Sequence, residues 1–146
     1  MAQKYTEAFA RYGAKLNNVG WSVSAFTPTG DLVVSIWSTL LKPGTEAGTL
    51  VYDDVLSTWR GNAHGRKELR RHLEQVQETG KRLRLIEAVP KDAEAAAMVG
   101  NVPDEAVIPK TFEVRSELIG TLTAFDSDRL RYVFRTADEH AESEPD

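Results

Sequence analysis

The stretch WSVSAFTPTGDLVVSIWSTLL, Trp21 to Leu41, decides the fold class. Trp21, Val23 and Ala25 alternate with Ser22 and Ser24, the period-two pattern of a strand with one apolar and one polar face. TPTGD follows, where Pro28 presets φ and Gly30 accepts a positive φ, so the chain turns. LVVSIWSTLL (Leu32 to Leu41) returns as a strand that is apolar on both faces, the mark of a central strand. Residues 21–41 therefore read as a β-hairpin. The returning run spans ten residues, far too few to cross a bilayer as a helix.

Working outward, YTEAFARYG reads as a short helix. Tyr5, Ala8, Phe9 and Tyr12 fall at i, i+3, i+4 and i+7, and Gly13 supplies a stop. Downstream, KPGTEAG (Lys42 to Gly48) is a loop and TLVYDD a short third strand. An amphipathic helix is predicted from about Arg66 to Thr79, apolar at Leu69, Leu73 and Val76 and ended by Gly80. RLRLIEAV (Arg82 to Val89) is a strand with Leu83 and Leu85 on one face and Arg82 and Arg84 on the other. Residues 90–110 carry Pro90, Pro103 and Pro109 around a short DAEAAAMV helix, a crossover or flap. The final stretch, Thr111 to Thr136, is a hairpin turned by DSD (Asp126 to Asp128), with Leu130, Tyr132 and Phe134 facing in. The expected class is α+β: a single mixed β-sheet built from an N-terminal hairpin, a middle strand-helix-strand unit and a C-terminal hairpin, with helices packed on one face.

A chain of 146 residues suits one domain, assigned here to residues 1–137. The absence of cysteine excludes disulfides, thiolate zinc sites and cysteine nucleophiles. MAQKYTEAFARYG is too polar for a signal-peptide core, so a cytoplasmic location is expected, with no membrane partner. The formal charge of −4 hides an asymmetry. Residues 138–146 hold five acids and no Lys or Arg, and without them 17 acids face 18 bases. With little to bury, this acidic tail is expected to be disordered.

The basic residues concentrate around STWRGNAHGRKELRRHL (Ser57 to Leu73). From Arg60 to Arg84 lie Arg60, Arg66, Lys67, Arg70, Arg71, Lys81, Arg82 and Arg84, opposed only by Glu68, Glu74 and Glu78. Free N–H groups at a helix start favour an anion, and Gly61 and Gly65 would let backbone approach one. Trp59 offers a stacking surface, and Asn62 and His64 can donate or accept. The plainer alternative is a solvated helix laced by Glu68 with Arg71 or His72, and by Arg70 with Glu74, at i+3 and i+4. The loop lacks the GxxxxGK[ST] spacing of a nucleotide-triphosphate loop.

Arginines also sit two apart on strands, at Arg82 and Arg84, then at Arg129 and Arg131, with Arg135 further on. If those strands are neighbours, one face carries a cationic row suited to phosphates. Exposed strand positions filled by arginine are the alternative. Trp21 and Trp37 fit core positions; Trp59 stands apart. Asp53 and Asp54 with His64 could hold a divalent metal, but their spacing matches no established ligand pattern. Glu87 and Lys91 flank Pro90 with a spacing that does not fit a nuclease strand.

The leading expectation is a small nucleic-acid-binding module, for DNA or RNA, without its own catalysis, metal or cofactor. Its contacts would be Trp59, Arg60, Asn62, His64, Arg66, Lys67, Arg70 and Arg71, with Arg82, Arg84, Arg129 and Arg131 on strands. Such a compact protein suits a mobile-element or host-defence setting, and the acidic tail would mask the basic face. The first alternative is a protein-interaction or inhibitor module using Trp59 and the arginines as a hot spot. The second is a metal-dependent hydrolase using Asp53, Asp54 and His64.

Overall fold

The structure, a computed structural model, describes residues 4–59, 63–102 and 105–136. Seven strands form one mixed sheet: β1 (Ser24–Phe26), β2 (Leu32–Trp37), β3 (Lys42–Pro43), β4 (Leu50–Val55), β5 (Leu83–Pro90), β6 (Lys110–Phe125) and β7 (Arg129–Thr136). Their order across the sheet is β1-β2-β5-β6-β7-β4-β3. Three helices accompany them: α1 (Tyr5–Ala10), α2 (Ala63–Thr79) and α3 (Ala93–Met98). The class is α+β, as the sequence predicts.

Both expected hairpins form. β1 pairs antiparallel with β2, Ser24 opposite Val34 and Phe26 opposite Leu32. β6 pairs antiparallel with β7, Gly120 opposite Phe134, around a turn in which Ser127 takes a φ of 80°. β2 and β5 are parallel, and the remaining pairs are antiparallel. The strand-helix-strand unit is β4-α2-β5. Its two strands are not neighbours, because the C-terminal hairpin inserts between them.

Strand alternation divides the core in two. On one face, Leu32, Val34, Ile36, Leu83, Leu85, Leu118, Leu130, Tyr132 and Phe134 pack under Leu69, Leu73 and Val76 of α2. On the other, Ala25, Val33 and Ile86 meet Ala8 and Phe9 of α1, with Ala14 and Leu16 just after it. The Tyr5 ring makes a T-shaped contact with Phe9 and a tilted one with Phe112, at 5.1 and 5.0 Å between ring centroids. Helices packed on one face describes α2 alone; α1 closes part of the opposite face. A sheet apolar on both sides at β2 and β5 needs cover on both, and α2 supplies only one.

Several boundaries move. β1 covers only residues 24–26, and the serines predicted to form a wet face are buried, Ser22 at 2% and Ser24 at 0% exposure. Both have partners: Ser22 Oγ accepts from the Asn18 N–H at 3.0 Å, and Ser24 Oγ lies 2.8 Å from His72 Nδ1. β2 stops at Trp37, and Ser38–Leu40 form one 3-10 turn. Trp37 is half-buried rather than a core residue; its indole N–H donates to Glu105 Oε1 at 3.1 Å, and the Lys110 ammonium lies 5.5 Å from its ring. α2 begins at Ala63, three residues before the predicted start. The acidic tail lies outside the described residues, as do Arg60 and Asn62.

Leu73 is fully buried in the middle of the α2 stripe. Leu73→Ala is expected to destabilise the protein by about 2–4 kcal/mol through lost contacts and a residual cavity. Urea unfolding at neutral pH checks this; a midpoint equal to wild type would mean that α2 does not pack through this residue.

Candidate functional site

The first half of α2 carries Arg66, Lys67, Arg70 and Arg71, and its one acid in that stretch, Glu68, is buried at 1% exposure. Its first turn contains no acid and its last turn no base, while Glu74 and Glu78 lie in the second half. This is the reverse of what the helix dipole favours, since acids stabilise the N-terminal end and bases the C-terminal end.

The four cations differ in their engagement. Arg66 donates through Nη1 to the Trp59 carbonyl at 3.3 Å. Arg70 Nε donates to the Ser127 carbonyl at 2.7 Å, tying α2 to the β6–β7 turn. Lys67 and Arg71, four residues apart, are exposed and form no hydrogen bond or ion pair among the described residues. The expected lacing by Glu68 with Arg71 and by Arg70 with Glu74 is not formed. Glu68 turns inward, where its Oε2 accepts from Asn17 Nδ2 at 2.8 Å, and Arg70 is spent on a carbonyl.

Trp59 is not a free platform. It is half-buried against the core under α2, and its indole N–H donates to Asp54 Oδ2 at 2.7 Å. Asp54 also accepts from the Tyr52 hydroxyl, and from the Val55 N–H at 2.8 Å. Burial, reinforced by the Asp54 carboxylate, pushes the Tyr52 phenol well up, so it stays a donor. Asp54 is thus a structural acceptor that fixes Trp59.

Asp53 and Asp54 point to opposite faces of β4, as successive strand residues must. Asp53 faces Arg131 at 3.5 Å on the far side of the sheet. The two carboxylates and His64 do not converge, and no cluster of three metal-ligating side chains exists among the described residues. His64 lies at the start of α2 with its ring 5.5 Å from the Trp21 ring. Gly65 serves packing: a Cβ there would collide with the Trp21 carbonyl oxygen, so it lets α2 press on the Trp21 backbone rather than on an anion.

The expected arginine row is broken. β5 and β7 are not neighbours, because β6 lies between them. Arg84 is covered by the N-terminal segment; its guanidinium sits 4.8 Å from the Tyr12 ring centroid and donates to the Ser116 carbonyl at 3.2 Å. Burial pushes the Tyr12 phenol up to about 12, against the lowering pull of Arg84. Arg82 precedes β5 and is half-buried. Arg129 and Arg131 are exposed, but they alternate with Leu130 and Tyr132 and so face away from α2. The helix cations and the strand arginines therefore occupy different surfaces.

One cluster escaped the sequence reading. Glu68 and His72 of α2 gather with Ser24 of β1, with Ser24 Oγ 2.8 Å from His72 Nδ1 and the His72 and Phe26 rings in a T-shaped contact at 4.8 Å between centroids. Glu68 Oε1 is buried without a hydrogen-bond partner among the described residues. The composition resembles a serine-histidine-acid relay, but Ser24 is fully buried and no substrate can reach it. The i+4 spacing of Glu68 and His72 was the available signal, and it pointed equally well to a surface pair.

No protein-family model, curated protein or solved structure matches the chain.

Gly65→Ala ordinarily stabilises a helix interior, but here it is expected to destabilise by about 1–3 kcal/mol, because α2 must move off Trp21. Thermal melting of Gly65→Ala distinguishes the two signs. His72 gives a pH dependence. Burial lowers its pKa in the fold below the ordinary histidine value of about 6.5, so the unfolded chain takes up the proton first as pH falls. Its contribution is complete above about 6.5 and is lost as pH drops from there through the folded value. Melting temperature should fall over that window, and His72→Gln should flatten the fall.

Proposed function

We propose that this protein is a cytoplasmic nucleic-acid-binding module without its own catalysis, and that its contact surface is the exposed cationic first half of α2. The observation that supports the reading is the reversed charge order of this helix. Four bases at its positive end weaken the helix, and among the described residues no ion-pair lacing offsets them. An anionic polymer at that end would neutralise both the side chains and the helix terminus. Lys67 and Arg71 are the primary phosphate contacts, with Arg66 and Arg70 positioned beside them by their carbonyl bonds. Arg60 and Asn62 precede the helix in sequence and lie outside the described residues, so their part in the proposal rests on the sequence alone. Trp59 supports this surface from below, held by Asp54, instead of stacking on a base. Arg84, engaged beside the N-terminal segment, is left out of it, as are Arg82, half-buried ahead of β5, and Arg129 and Arg131 on the far face.

The test is fluorescence anisotropy with labelled single- and double-stranded oligonucleotides at three salt concentrations. Lys67→Ala with Arg71→Ala should weaken binding across all sequences alike. Each lost phosphate contact should reduce the slope of log affinity against log salt by roughly 0.9 for duplex DNA and roughly 0.7 for single strands. Arg129→Ala with Arg131→Ala should leave the slope unchanged. Wild-type protein that fails to bind at low salt would remove this reading in favour of a protein partner.

A further inference from the structure

β7 presents Arg131, Val133 and Arg135 on the sheet face that points away from α2, because these residues alternate with buried Leu130, Tyr132 and Phe134. Val133 lies directly opposite Val51 of β4, and together they floor a cavity of about 90 Å³. Arg131 and Arg135 stand at its two ends, about 13 Å apart along the strand. The loop between β3 and β4 forms the remaining wall through Gly44, Thr45, Glu46 and Thr49. That wall is built firmly. The Gly44 N–H donates to the Thr49 carbonyl at 2.9 Å, and Thr49 Oγ1 donates to the Glu46 carbonyl at 2.7 Å. A Cβ at Gly44 would strike Thr49 Oγ1, so only glycine lets the wall close on the floor.

Within this frame, one anion already sits on the arginine. The Glu46 carboxylate accepts two hydrogen bonds from Arg135, from Nη1 at 2.8 Å and Nη2 at 3.2 Å. This is the two-pronged geometry by which a guanidinium holds a carboxylate or a phosphate edge. The hydrogen bond from Arg135 keeps the Glu46 carboxyl below its ordinary value, so it remains charged at neutral pH. Yet the Glu46 side chain is 67% exposed, and exposed ion pairs hold weakly. At the other end, Arg131 is only 3.5 Å from Asp53, longer than a charge-assisted hydrogen bond. The pocket therefore has a built floor and wall, two guanidiniums, and a carboxylate seated where a ligand's oxyanion would lie.

We infer that this pocket is a binding site for a phosphate monoester dianion, with Glu46 as an internal occupant that the ligand displaces from Arg135. A dianion carries more charge than the Glu46 carboxylate and presents the same two-oxygen edge to Arg135, leaving a further oxygen for the Thr45 hydroxyl, since the Thr49 hydroxyl is already donated to the Glu46 carbonyl. The site lies on the opposite sheet face from the cationic half of α2 and does not depend on the nucleic-acid reading.

The experiment titrates inorganic phosphate into isotope-labelled full-length protein and follows the amide resonances of Gly44, Thr45, Thr49, Val133 and Arg135. Glu46→Gln removes the internal charge while keeping size, and should tighten phosphate binding by up to about fivefold, the advantage an exposed ion pair can withhold. Arg135→Ala should abolish the response. If that variant does not fold, Arg135→Lys decides, since it keeps the charge but loses the fork and should bind markedly more weakly. A nucleoside 5′-monophosphate should shift the same resonances and the parent nucleoside should not; a tighter response than inorganic phosphate would identify a nucleotide-borne phosphate as the source. Lys67→Ala with Arg71→Ala should leave all of this unchanged, which separates the site from the α2 surface. Unaltered affinity in Glu46→Gln, wild-type affinity in Arg135→Lys, or shifts confined to α2 would overturn the inference.

Discussion

The sheet depends on the C-terminal hairpin. β6 and β7 insert between β5 and β4 and join what would otherwise be two separate pieces, β1-β2-β5 and β4-β3. Gly120 is the pivot of this junction, with Leu83 of β5 opposite it on one side and Phe134 of β7 on the other. A Cβ at Gly120 would lie 2.9 Å from Leu83 Cβ and closer still to the Phe134 ring, so only glycine lets both side chains pack against β6 at this point. The row Leu130, Tyr132 and Phe134 then becomes part of the floor on which α2 packs. Such late, long-range pairing is entropically demanding, and the apolar area that it buries has to offset the cost of ordering the chain.

That junction also sets where charge can appear. With the inward positions of β7 committed to the core, its arginines must face the opposite side. α2, lying over the inward face, must expose its own cations outward. Arg70 reaches the β6–β7 turn through its hydrogen bond to the Ser127 carbonyl, two residues before Arg129, but the two sets of bases stay on different layers. A single continuous cationic surface is thereby replaced by two smaller features with different chemistry: an exposed, unlaced helix start and a walled pocket with an internal carboxylate.

Buried polar groups hold the layers in register. Tyr5 donates to the Ser22 carbonyl at 2.7 Å, Tyr12 to the Leu85 carbonyl at 2.8 Å, and Asn17 to Glu68. Each bond fastens the N-terminal segment to a different element. These bonds offset much of the cost of burying polar groups and make the geometry specific in a way apolar contact is not, while Glu68 Oε1 is buried with no partner among the described residues. Asp54 does the same for the other half of the protein by joining Tyr52 and Trp59.

The local elements were legible in the sequence because their causes are local. The turn residues of TPTGD and DSD, the stop glycines at 13 and 80, and the i, i+4, i+7 stripe through Leu69, Leu73 and Val76 act within one or two turns of chain. The α+β class follows from them. What tertiary structure alone decided was partnership. Alternation shows that Arg84 and Arg131 leave their strands away from the buried side, but not that β6 separates them or that Tyr12 covers one of them. Spacing shows that Glu68 lies beside Arg71, but not that Asn17 draws it inward. The sequence places Glu46 in a loop between two glycines, yet its seat on Arg135 exists only because β7 pairs with β4 and passes beneath that loop. Period and turn chemistry are properties of neighbours along the chain, whereas charge pairing and burial are properties of neighbours in space.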